Sequence, residues 1–150
     1  MWPGPEGVAL GTRDEKLALL RDIPLFRYLS KRHLETVSRN ADEIRVDAGH
    51  ELCREGRLGH ELFVIVEGTA SVARQDLHLA DLGPGDFVGE LSLLDNEPGS
   101  ATVTAETPMV LLVIGERQFH SLLLAIPELT LEVLRGVAQR LRATDEALTH

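Results

Sequence analysis

The sequence predicts a mainly β fold, an antiparallel sandwich or barrel, flanked by helices at both ends. Three observations carry this expectation. From Ala41 to about Ile114, short apolar runs alternate with turn signals about every 8–12 residues. On either side of that stretch, apolar residues recur at helical spacing. The 150 residues hold no internal repeat, and a chain of that length most simply makes one domain with a real core.

The elements follow in order. Residues 1–11, MWPGPEGVALG, are rich in proline and glycine and read as a flexible tail, leaving 12–150 as the domain. Leu17, Leu20 and Ile23 share one helical face, and Pro24 ends that helix. Ser30 is a good N-cap for Lys31 to Asn40, with His33 and Leu34 in the first turn. The strand runs are EIRVDAG, ELCREG, LFVIVEG, ASVARQ, LHLADLGPGD, ATVTAETP and MVLLVIG. After Gly115 the pattern turns helical over about 116–149. One helix covers Arg117 to Leu124, Pro127 breaks it, and a second runs from Glu128 to about Thr149.

Bulk chemistry excludes several functions. A net charge of −9 argues against unaided binding to nucleic acid or an anionic membrane. No apolar run approaches the ~20 residues that span a bilayer, and the N-terminus lacks the pattern of a secretory signal. With Cys53 alone no intrachain disulfide forms, so a cytoplasmic protein is expected. Cys53 adjoins Arg54, but no His/Asp pattern suggests a nucleophile, and a half-buried strand residue is the simpler reading. His33, His50, His60, His78, His120 and His150 form no metal-ligand spacing; His50 and His60 read as loop residues. Neither a G-x-S-x-G elbow nor a Walker loop is present. No enzyme, metal or resident cofactor is expected.

The segment richest in information is GELSLLDNEPGSATV, residues 89–103. Before it, Gly83-Pro84-Gly85-Asp86 is a turn in which proline presets φ and Gly85 permits φ above zero. Gly89 allows close backbone approach. Leu91 to Leu94 make about one helical turn whose free N–H groups favour an anion. Pro98-Gly99-Ser100 closes a loop, Ser100 can donate a hydroxyl, and Ala101 begins the next strand.

Taken together, IPLF followed by YLS, LFVIVEGTASV, LGPGD, FVGELSLL and PGSATV resemble the cyclic nucleotide-binding domain. This is the sensor module of catabolite-activator-type regulators, cyclic-nucleotide-dependent kinases and gated channels. The likeness spans about residues 17 to 148. It implies an antiparallel β-roll, jelly-roll-like, with helices before and after. It also implies that Gly89 and the amides of the helical turn hold a cyclic phosphate, that Glu90 accepts from the ribose 2′-hydroxyl, and that Ser100 meets the phosphate. The candidate ligand-binding set is Gly89, Glu90, Leu91, Ser92, Gly99, Ser100, Ala101, Val72 and Leu79, for cyclic AMP or cyclic GMP.

One position departs from the family. Its phosphate-pairing arginine is here Gly99. Losing one partner of a buried charge pair costs about 3–5 kcal/mol, roughly a hundred- to several-thousand-fold in affinity. Nothing nearby in sequence replaces it. Between Arg74 and Arg117 the only basic residue is His78, among Asp76, Asp81, Asp86, Glu90, Asp95, Glu97, Glu106 and Glu116. Arg74 shares strand parity with Ala70 and Val72, so it either points inward or leaves the barrel end solvated. Glu90 either serves a ligand or caps its own helix. Binding is expected weak or lost.

The last helix carries a seam of Thr130, Leu134, Val137, Leu141, Thr144 and Leu148. Leu134, Val137, Leu141 and Leu148 are candidates for a homodimer contact. Leu131, Leu134, Ala138 and Leu141 can pack on the chain's own barrel, and both contacts can hold because the stripe is broad enough for two. Arg135, Arg140 and Arg142 lean over the pocket or stay solvated, and solvation is the expectation. Transcriptional members of the resembling family continue into a helix-turn-helix, whereas this sequence stops at His150; no DNA binding by this chain alone is expected. Two functions remain open: a weak cyclic-nucleotide sensor acting on an effector protein, or a ligand-independent scaffold.

Overall fold

The computed structural model describes the backbone of residues 13–149 and the side chains of residues 15–144. The tail expected over 1–11 lies outside the described residues. Two helices come first among the described residues, α1 (Arg13–Arg21) and α2 (Lys31–Arg39), joined by a 3-10 turn at Pro24–Phe26. Proline thus starts the 3-10 turn instead of directly ending α1, because its fixed φ suits a first helical position. Ser30 caps α2 as expected: its Oγ accepts from the His33 N–H at 3.1 Å.

Eight strands follow: β1 (Asp42–Val46), β2 (Glu51–Cys53), β3 (Glu61–Glu67), β4 (Ala70–Arg74), β5 (Leu77–Leu82), β6 (Phe87–Val88), β7 (Thr102–Ala105) and β8 (Met109–Gly115). A short helix, α3 (Glu90–Asp95), sits between β6 and β7, and α4 (Glu116–Ala125) and α5 (Pro127–Thr149) close the chain. The strands form two antiparallel four-stranded sheets, ordered β1-β8-β3-β6 and β2-β7-β4-β5. Two-residue β6 carries no readable periodicity, which is why the strand rhythm alone does not announce it.

Two clusters of buried residues follow from strand alternation. On β3, Ile65 faces the space between the sheets with Val46, Ala70, Val88, Val103 and Leu111. Leu62 and Val64 face the opposite way, where Leu20, Phe26, Leu34, Phe119, Leu129 and Val133 of the helices cover the first sheet. Strand β8 is buried from Met109 to Ile114, so its run MVLLVIG is apolar throughout.

The stripe of α5 that packs on the barrel differs from the one expected. Leu129 and Val133 are buried, and Val137, part-buried, packs against the core cluster. Leu131, Leu134 and Leu141 are exposed and do not pack on the barrel. The crossing of α5 over the barrel selects one face, and close approach at Gly136 explains which. A Cβ there would sit 2.6 Å from the Phe87 ring. The side chain of Leu148 lies outside those described.

Candidate functional site

The site is built where β6 ends against β3. Phe87 and Val88 pair with Val64 and Phe63. The backbone then turns sharply at Gly89, with φ +95°, as the cap of α3. Any Cβ at Gly89 would collide with the Glu61 carbonyl oxygen. The glycine therefore has a structural reason independent of any ligand. The preceding turn forms as its residues dictate: Gly85 has φ +95°, and the Asp86 N–H donates to the Gly83 carbonyl at 3.0 Å.

Glu90, the first residue of α3, is 2% exposed. Its carboxylate accepts from its own N–H and from that of Leu91. It is also paired with the guanidinium of Arg140, fifty residues away on α5. The same guanidinium donates to the Phe87 carbonyl and lies over the Phe87 ring, 4.6 Å from its centroid. Burial pushes the Glu90 carboxyl above its ordinary pKa, against the opposing pull of Arg140 and the two N–H groups. The expectation that Arg140 stays solvated is thus overturned: close approach of α5 at Gly136 sets Arg140, one turn on, over Phe87. Arg135 instead pairs with Glu132 at 2.6 Å, and Arg142 is exposed. Glycine inside a helix was the sequence signal for this close approach.

Cys53, half-buried on β2, faces the same charges. Burial and then the negative charge of Glu90 push its thiol pKa up to about 11, with Arg140 acting in the opposite direction. Such a thiol is inert at neutral pH, in line with a structural strand residue.

The loop closing the cassette is tied to the β2–β3 connection. Gly99 donates its N–H to the Arg57 carbonyl at 2.8 Å and accepts from the Gly56 N–H at 2.9 Å. A Cβ at Gly99 would lie 3.2 Å from the Arg54 carbonyl oxygen and 3.4 Å from that of Arg57. Ser100 is exposed, and its carbonyl accepts from Arg74 Nε at 2.8 Å. Ser92 is buried and spends its hydroxyl on the Glu97 carbonyl at 2.8 Å. Leu91 is half exposed, Ala101 and Val72 are part-buried, and Leu79 is half exposed on β5, at the edge of its sheet. The fold therefore gathers Gly89, Glu90 and Leu91 at one corner with Arg140. It draws Arg74, Gly99, Ser100 and Ala101 together at the neighbouring loop.

Among the described residues no group of three or more His, Cys, Asp and Glu side chains is placed to hold a metal. His50 and His60 are exposed, and His60 reaches Glu116 at 3.4 Å. No helix of the described residues is long and apolar enough to cross a membrane.

Known proteins share this fold. The cyclic nucleotide-binding domain family matches residues 43–125. A cyclic nucleotide-gated potassium channel from Rhizobium etli is 38% identical over 120 residues, 80% of this chain and 33% of the channel. The chain thus spans about a third of the length of the curated channels it matches. The catabolite activator protein of Thermus thermophilus superposes with a TM-score of 0.76 at 28% identity, over 84% of this chain and 62% of that one. The regulatory subunit of a cAMP-independent protein kinase A from Trypanosoma brucei, solved as a triple-substituted form bound to cAMP, gives a TM-score of 0.74 at 28% identity, over 85% of this chain and 47% of that one. On the match of the cassette, the strands and the two-sheet topology, this chain belongs to the cyclic nucleotide-binding domain family.

Proposed function

We propose that the chain is a non-catalytic regulatory module of the cytoplasm that takes cyclic AMP or cyclic GMP weakly and reports occupancy through α5. The observation that carries this reading is the Glu90–Arg140 pair. The family resemblance assigns Glu90 to the ribose 2′-hydroxyl. Here that acceptor is engaged by the last helix, so a ligand would compete with Arg140 for it and release or reposition α5. Weak affinity follows from Gly99, which offers no cation to the phosphate, and from the work of displacing a guanidinium held by three contacts. The Trypanosoma relative belongs to a kinase described as cAMP-independent, and its cAMP-bound form carries three substitutions, one of which introduces an arginine.

A titration followed by backbone amide NMR tests the proposal. Addition of cyclic AMP or cyclic GMP should give saturable shifts in residues 89–101 that extend to the region around Arg140, with a dissociation constant above about 10 μM. Gly99→Arg should tighten binding, though its Cβ needs a small local shift beside the Arg54 carbonyl. Absence of any shift at several millimolar in both the natural chain and Gly99→Arg would refute ligand binding.

The exposed Leu131, Leu134 and Leu141 on α5 favour a second reading, a ligand-independent interaction or dimerisation module. Ala138, also exposed, completes their heptad spacing. Sedimentation of the chain with and without Leu134→Glu decides whether that stripe joins two copies.

A further inference from the structure

We propose that Arg74, reaching from β4, is the cation that meets the cyclic phosphate in place of an arginine at position 99. The inference rests on the reading that a cyclic nucleotide occupies the cassette, and it names the group that would recognise its charge. Strand pairing brings Arg74 to the right end of the site. Val72 pairs with Val103 and Ala73 with Thr102, so the next residue of β4 arrives beside the end of the Gly99–Ala101 loop. There Arg74 Nε donates to the Ser100 carbonyl at 2.8 Å. This contact uses one of the five N–H donors of a guanidinium, and the planar fork keeps the charge at the loop while the others can serve oxyanions.

The position is fixed from a second side. Gln75 and Asp76 turn the β4–β5 hairpin with φ of 50° and 66°. The Gln75 N–H donates to Glu55 Oε1 at 2.9 Å, which anchors the hairpin tip to the same β2–β3 connection that holds Gly99. Arg74 is thus carried by two tied segments, and little ordering is left for a ligand to bring about. Of the other arginines near the cassette, Arg140 is already committed to Glu90 and Phe87, and Arg57 meets the loop through its backbone carbonyl. Arg54 is likewise paired with Glu51, at 2.7 Å.

The test compares cyclic AMP binding by the full chain with that of Arg74→Ala and Arg74→Gln, by NMR titration at low and moderate salt. Glutamine keeps an N–H for the Ser100 carbonyl but carries no charge. Loss of affinity by about 10- to 100-fold in both variants, the equivalent of one charge-assisted hydrogen bond, together with a flatter salt dependence, would support the assignment. Unchanged affinity in both variants would overturn it and leave the proposed function standing. So would loss in Arg74→Ala alone, since Arg74 would then only tie the loop. No binding by the natural chain also overturns it; the response of Gly99→Arg then tells whether the functional reading falls with it.

Discussion

Replacing Arg140 by alanine removes the only side-chain cation paired with Glu90 among the described residues. A buried carboxylate that loses its partner costs about 3–5 kcal/mol when the pair is fully enclosed. Two features reduce that figure here. Arg140 is 39% exposed, so solvent screens part of the attraction. Glu90 also keeps the N–H groups of residues 90 and 91. Loss of the stacking over Phe87 adds a smaller amount, about 0.5–1 kcal/mol for a partly exposed cation. The expected destabilisation at neutral pH is about 1.5–3 kcal/mol, or roughly 3–12 °C in melting temperature for a chain of this size. Its pH dependence has a definite sign. Glu90 has its folded pKa raised by burial, so the folded state binds more protons than the unfolded one between the two pKa values. This group therefore favours the fold most below the unfolded carboxylate range. Its contribution falls as pH rises through the folded pKa. Without Arg140 that pKa moves higher still. The penalty of Arg140→Ala should thus be small near the unfolded carboxylate pKa and grow toward neutral pH. Urea unfolding of Arg140→Ala, Glu90→Gln and the double variant at both ends of that range measures it. If Arg140→Ala costs as much in the Glu90→Gln background as in the natural chain, the pairing contributes nothing to stability.

Three further outcomes follow from the same geometry. Gly136→Leu should cost about 1–3 kcal/mol and lift α5 from Phe87, because even a Cβ there meets the ring; unchanged urea unfolding would show that α5 packs differently. Gly89→Ala should cost about 2–3 kcal/mol, from positive φ and the collision with the Glu61 carbonyl, and a cost below that of an ordinary surface change would contradict the tight β6–α3 corner. Cys53 should react with iodoacetamide about a hundredfold or more slower than a free thiol at pH 8, with the rate rising toward its pKa of about 11 and recovering in denaturant. Rapid alkylation of the folded chain would contradict its burial beside Glu90.

Some of this protein was set by short stretches of chain. Ser30 announces α2 because its hydroxyl reaches an N–H three residues on. The Gly83–Asp86 turn, the strand rhythm and the Gly89–Glu90 corner depend on φ preferences and alternation within a few residues, so they can be read from order alone. Gly99 is equally legible, since the absence of a side chain needs no structure to be seen. Even the stabilising place of Glu90 in the first turn of a helix was available, from an acid at a helix start.

Tertiary structure alone decided where the guanidinium groups go. Arg140 and Glu90 are fifty residues apart, and Arg74 and Ser100 twenty-six; their meeting depends on how α5 crosses the first sheet and how β4 registers with β7. The helix α5 carries two apolar stripes, one through Leu129, Val133 and Val137 and another through Leu131, Leu134 and Leu141. Periodicity weighs them equally. The choice fell to the fit between Gly136 and Phe87, a contact between segments that no local pattern relates, and with it the identity of the charge that meets Glu90.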